Sequence, residues 1–370
     1  MKIIKQKMIP ILSIFFIFIC TGSAWSWCWI RDTGRYACGG GLYQQNCCSG
    51  HLRLWPGATM QYQISNSTSN SLLNSIRTGA DKWNNVLMST FTFTEGVFTS
   101  IWDSDYDGTN IINVDSSFCS HFPTYCGQGI LGFSGTWTIN SGTSSYQAVE
   151  SDVILNGEEF TWGDGTGGTI DTVAVIAHET GHNLGITHPG STCRFSGSSG
   201  CGPEFPSATM YYSYSGGQPT DKSSLELDDV AAAVYGYPQS TVRVGVVDSD
   251  ESPISGAVVA LIGTAAPING SSNSEGGKVY GDISTSLLGD EVSSPSYVNA
   301  SPFNTTDANG YTNYIKPVHQ SFKVRVTRGS DTITKNVTVA AGTSTVMVQM
   351  GGASTASGAM PWIFLLLDDD

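Results

Sequence analysis

The stretch His178-Glu179-Thr180-Gly181-His182-Asn183-Leu184-Gly185-Ile186-Thr187-His188 holds the side chains needed to bind a divalent metal and to move a proton beside it. His178 and His182 are four residues apart, so on a helix they stand one turn above each other on the same face. Two imidazoles so placed can share one Zn2+ at about 2.0–2.1 Å each. Glu179 projects from an adjoining angle. It reaches a metal-activated water rather than the metal, which makes it the candidate general base. Gly185 follows where a helix commonly stops at a glycine able to take positive φ. The turn it permits brings His188 back as third ligand. Three protein ligands with one open position is the catalytic arrangement rather than the structural one.

These ligands need a helix and a sheet to hold them. Thr172-Val173-Ala174-Val175-Ile176-Ala177 is an apolar lead-in of helical length. Leu72, Leu73, Ile76, Ala80, Trp83, Val86 and Leu87 recur at helical spacing and predict a second helix. Strands are expected at 52–55, 60–64, 91–95, 111–114, 130–133 and 151–156, the second with clear alternation. The run Asp103-Ser104-Asp105-Tyr106-Asp107-Gly108-Thr109-Asn110 has the texture of a calcium loop, but the position where such a loop wants a bidentate Glu is Val114. An acidic turn into a strand is the preferred reading there. Residues 225–238 form a periodic apolar segment ending in Gly236-Tyr237-Pro238, which predicts a helix with a stop.

The pattern H-E-x-x-H-x-x-G-x-x-H is the long motif of the metzincins, and the chain resembles these zinc metallopeptidases. Met210, 22 residues past His188 in Ala208-Thr209-Met210-Tyr211-Tyr212, resembles their Met-turn. There a methionine supports the base of the metal site without binding the metal. Tyr212 matches the position where astacins and serralysins have a tyrosine near the metal. The resemblance implies a donor to the oxyanion of a tetrahedral intermediate, with buried packing as the alternative. Residues 80–86 and 225–238 resemble the first and last helices of matrixins, with Asp228 and Asp229 making structural contacts beneath the site. Residues 151–156 resemble the edge strand along which matrixins align an extended substrate; an ordinary internal strand is the alternative. Matrixins carry structural calcium, so the resemblance keeps Ca2+ as a second, structural cofactor. Serralysin calcium repeats are absent, and Pro189 stands where astacins have Glu. The fit, over residues 51–238, is therefore to matrixin-like enzymes.

The 370 residues suffice for two domains with cores of their own. Charged residues make up 13% and the formal net charge is −14. No basic stripe exists to neutralise phosphates, which excludes nucleic acid as partner. Lys2, Lys5 and Lys7, the apolar run 8–19 and Gly22-Ser23-Ala24 read as a signal peptide over 1–24, so the mature chain carries no transmembrane span and is expected outside the cell, secreted or surface-associated. Eight cysteines remain after cleavage: Cys28, Cys38, Cys47, Cys48, Cys119, Cys126, Cys193 and Cys201. An even set in an exported chain implies disulfides. Cys119–Cys126 and Cys193–Cys201 are the expected local loops, and the other four would pair within the Cys-rich segment 25–50 in an order that spacing does not decide. That segment is read as a stapled flap on the next domain, with inhibition of the zinc site as the alternative.

Residues 240–350 alternate as strands and look like a carboxypeptidase-regulatory-like β-sandwich, with a Ser- and Gly-rich insert around 265–300. His319 stands alone there and is read as a surface residue. Residues 351–370 are expected to be a flexible tail. The expectation is thus an α+β metzincin catalytic domain, a mixed twisted sheet with long helices and zinc in the cleft, plus an all-β sandwich domain. The chain would be a secreted zinc-dependent endopeptidase acting on protein or peptide substrates. Its metal ligands would be His178, His182 and His188, its base Glu179, and its supporting residues Met210 and Tyr212. The alternative is a non-enzymatic surface or adhesion protein acting through the β-sandwich.

Overall fold

Thr59, Gln61 and Gln63 alternate with buried Met60, Tyr62 and Ile64, so β3 (Thr59–Ile64) turns one face to the core. It pairs in parallel with β4 (Thr92–Glu95) and β5 (Ile111–Asp115). β5 pairs in parallel with β7 (Gln147–Asn156), and β6 (Gly132–Ile139) closes the sheet antiparallel to β7. The order is β4-β3-β5-β7-β6. β5 is buried along its whole length, as a central parallel strand covered on both faces must be.

The structure, a computed structural model, describes residues 27–29, 37–39, 51–188, 209–211, 214, 222–225, 227–262, 305–312, 314, 316–317, 320–351 and 365–367. It is a mixed α+β structure with a multi-strand sheet and few helices among these residues. The signal peptide 1–24, Cys47, Cys48, the Cys193–Cys201 loop, Tyr212, the 265–300 insert and His319 lie outside them. No helix among the described residues is long and apolar enough to cross a membrane.

Two helices pack together beside the sheet. α1 (Leu73–Asn84) buries Ile76, Gly79, Ala80 and Trp83, one stripe at helical spacing. α3 (Thr172–Leu184) is capped by Asp171, which accepts the Ala174 N–H, and stopped by Gly185 at φ 116°. The two approach so closely that a Cβ on Gly79 would lie 2.6 Å from Ile176 Cγ2. Burial of Val175 and Ile176 contributes about 1.5–3 kcal/mol each. A short helix α2 (Phe118–His121) lies in the β5–β6 connection, where Cys119 and Cys126 are joined.

Three expectations are corrected. The strand 151–156 is not an edge: β7 lies between β5 and β6, and the edge on that side is β6. The first helix ends at Asn84, because its side chain accepts from Phe93 N–H at 2.6 Å and donates to Phe93 C=O at 3.0 Å, tying the helix end to β4. Val86 still reaches the core from the turn beyond, whereas Leu87 is 79% exposed. Residues 52–55 form no strand but carry isolated bridges at Leu52 and Leu54, the latter to Gln147.

Beyond α4 (Leu227–Gly236) come two three-stranded sheets. In one, β11 (Ser240–Val247) pairs in parallel with β15 (Gly342–Gln349). In the other, β12 (Val258–Ile262), β13 (Ser321–Arg328) and β14 (Asp331–Thr338) run antiparallel. Val244 and Val348 of the first and Val324 and Val326 of the second belong to one core. The tail departs from expectation too: β16 (Leu365–Leu367) pairs antiparallel with β15. Short strands β8 (Trp162–Gly163) and β9 (Ile170–Asp171) lead into α3.

Candidate metal centre

His178 and His182 extend from one face of α3, and the left-handed turn at Gly185 leads the chain back through β10 (Ile186–Thr187) to His188. The three rings converge. His188 Nε2 lies 3.0 Å from His178 Nε2 and 3.1 Å from His182 Nε2. The other ring nitrogens of His178 and His182 are held by carbonyls: His178 Nδ1–H donates to Thr209 C=O at 2.7 Å and His182 Nδ1–H to Ile186 C=O at 2.8 Å. A carbonyl can only accept, so the proton sits on Nδ1 and Nε2 keeps its lone pair. Desolvation, reinforced by the neighbouring His182, lowers His178 to about 3. Desolvation lowers His182 to about 4 and holds His188 well below its ordinary value. All three are neutral near pH 7, the form a metal binds.

The donor set fits Zn2+. Nitrogens at about 2.0–2.1 Å from one tetrahedral ion stand about 3.3–3.4 Å apart, a few tenths of an ångström from the observed spacing. Glu179 is buried, and among the described residues its carboxyl has no hydrogen-bond partner. Burial alone pushes it up to about 8. A buried carboxyl without a partner is costly unless a cation or substrate compensates it. Cys119, Cys126 and Glu159 are also mutually close, but those cysteines are bonded to each other. The Asp103–Asn110 stretch is a turn: Asp107 Oδ1 accepts the Thr109 N–H, and the Asp107 and Gly108 N–H groups donate to buried Glu150.

Beneath the histidines lies Met210, 1% exposed. A Cβ on Gly181 would come within 2.2 Å of Met210 Sδ and 2.7 Å of Trp83 Cζ2, so the glycine lets both pack flat against α3. Asp229 of α4 accepts the Thr209 N–H at 2.9 Å and the Met210 N–H at 3.2 Å. The chain of contacts therefore runs from Asp229 to the Thr209–Met210 turn to His178. Nearby, Lys222 Nζ donates to Tyr211 C=O at 3.2 Å, and burial lowers its amine to about 8.

The C-terminal turn of α3 is closed by residues whose side chains sequence reasoning gave no role at the site. Arg53 donates to His182 C=O, Trp55 Nε1 to Asn183 C=O at 2.8 Å, and Tyr237 Oη to Leu184 C=O at 3.3 Å. These are carbonyls of the last helical turn, of which His182 C=O also accepts the Gly185 N–H at 3.0 Å. The only signal for Arg53 was a cation set in an apolar run. Asn183 Oδ1 accepts from Ser134 of β6 and from Ser151 Oγ of β7 at 2.8 Å, which joins the edge strand to the metal helix. In comparisons with known proteins, no protein-family model and no curated protein matches this chain.

Proposed function

We propose that the chain is an exported zinc-dependent endopeptidase of the matrixin-like metzincin type, hydrolysing peptide bonds in protein substrates. The observation that carries the reading is the convergence of three imidazole Nε2 atoms beside a buried carboxyl that has no hydrogen-bond partner among the described residues. His178, His182 and His188 would hold the ion. Zn2+ there would supply Lewis acidity, polarising a carbonyl and making water a nucleophile near pH 7. Glu179 takes a proton from the attacking water and passes it to the leaving amide nitrogen. Its raised affinity for a proton in the metal-free site falls when a cation sits nearby, which leaves it a carboxylate able to accept.

An extended substrate would add to β6 rather than to 151–156, since among the described residues β6 is the sheet edge and is tied through Ser134 to α3. Trp137 and Ile139 lie toward the end of that strand, Ile139 39% exposed. Export accords with the signal-like 1–24 and with the joined pair Cys119–Cys126.

The test is cleavage of an unfolded mixed-protein substrate by the mature chain and by Glu179→Gln. The variant should bind Zn2+ as the parent does and lose roughly 10²–10⁴-fold in turnover. Undiminished cleavage by Glu179→Gln, or cleavage indifferent to a zinc chelator, would refute the mechanism.

A further inference from the structure

The Cys-rich segment 25–50, expected as a flap on the next domain, meets that domain through its described residues as a strand pairing. β1 (Trp27–Trp29) pairs antiparallel with β2 (Ala37–Gly39) on one side and with β10 on the other, giving the sheet β10-β1-β2. The register sets Trp29 opposite Ile186 and Cys28 opposite Thr187.

β10 is two residues long, and β1 is its only ladder partner among the described residues. A pair of residues cannot hold extended geometry alone; the neighbouring strand fixes it. What β10 carries is specific. Ile186 C=O is the acceptor that orients His182 through Nδ1–H, and His188 follows Thr187 directly. β1 also lies beside α4, whose Asp229 holds the turn that orients His178. The hairpin thus abuts both arms that aim the ligands. Its own strands are matched at Cys28 and Cys38, which are direct Cα partners.

We propose that the N-terminal hairpin is a strap that positions the metal ligands: it clamps Ile186–Thr187 so that His182 and His188 meet His178, and the metal site is incomplete without it. This rests on the metal-site reading above and reverses the sign of the inhibitory alternative. Removal weakens the site instead of unmasking it.

The experiment compares three chains: the mature protein, the same protein lacking 25–50, and Trp29→Pro. The deletion removes Cys28, Cys38, Cys47 and Cys48 together. Proline in the central strand of the hairpin sheet removes a ladder donor with the rest of the chain intact. Zn2+ affinity is read by competition with a chromogenic chelator. Hydrogen exchange across 184–188 is read in the metal-free proteins. Loss of an outer contact to ligands lowers metal affinity roughly 10–100-fold. Both variants should show that loss, with faster exchange at Ile186 and Thr187. Unchanged affinity and unchanged exchange in variants that keep their near-ultraviolet dichroism would overturn the proposal. So would a deletion that cleaves faster at unaltered Zn2+ affinity. If the deletion does not fold, Trp29→Pro decides by the same readings. If the mature protein itself binds no Zn2+, the peptidase reading fails, and the metal-free exchange comparison still decides whether the hairpin holds β10.

Discussion

Asp229→Asn separates the support of the metal site from the site itself. Asp229 is 1% exposed and accepts two backbone N–H groups, from Thr209 and Met210, both buried. Asparagine has the same shape but replaces one acceptor oxygen with an amide donor, so one of the two N–H groups faces a donor. Stranding a buried N–H costs about 1–3 kcal/mol. For a domain of roughly 150–250 residues, each kcal/mol is worth about 2–4 °C, so the metal-free variant should melt roughly 2–12 °C lower. A second effect follows if the turn moves, because Thr209 C=O is the acceptor for His178 Nδ1–H. Misorienting one ligand weakens Zn2+ roughly 10–100-fold. That removes about 1.4–2.7 kcal/mol of metal-induced stabilisation at saturating parent conditions. The Zn2+-loaded variant should therefore lose more in Tm, relative to the loaded parent, than the metal-free pair differ. Thermal melts followed by circular dichroism, with and without Zn2+, measure both. Asp250→Asn, the same loss of charge in an exposed turn, is the control and should change neither. Equal Tm losses in the two states would leave Asp229 a purely structural residue. No loss in either would refute the reasoning altogether.

Two further outcomes are expected. Gly181→Ala should destabilise the protein by about 1–3 kcal/mol, because the added Cβ would sit 2.2 Å from Met210 Sδ and 2.7 Å from Trp83 Cζ2, outweighing the roughly 1 kcal/mol that alanine gains in a helix; a more stable variant in urea unfolding would show that the packing is not as tight as described. Asp152 is 1% exposed and is pushed up to about 8 by burial first, then by the nearby carboxylates of Glu150, Asp107 and Asp103, against the Ile111 N–H it accepts at 2.9 Å. Between about pH 4 and 8 the folded chain then keeps a proton that the unfolded chain has lost, so this group's contribution is full at low pH and is lost as pH rises to about 8. Asp152→Asn keeps the acceptor and cannot ionise. Urea unfolding should find it matching the parent near pH 4 and more stable by on the order of a few kcal/mol above pH 8, and a difference that does not grow with pH would contradict the assignment.

The local parts of the site were legible in the order of residues. His178 and His182 share a helix face because four residues nearly complete a turn, and Gly185 ends that helix because it can take φ 116°. The alternation in 59–64 marked β3 for the same kind of reason, since each pattern is written within one element. The position of β7 inside the sheet was not legible. Residues 147–156 are buried almost throughout, as either a central strand or a covered edge would be, and only the pairing with β5 and β6 decides. Arg53 and Trp55 likewise gave no sign that they close the carbonyls of a helix well over a hundred residues away. The hairpin at Trp27–Gly39 has no period that points to Ile186. The sequence by itself determined which side chains could bind a metal and how they are spaced along one helix. Only the tertiary structure decided what aims them, because ladder pairings and helix-end contacts join residues whose chain separation leaves no periodic trace.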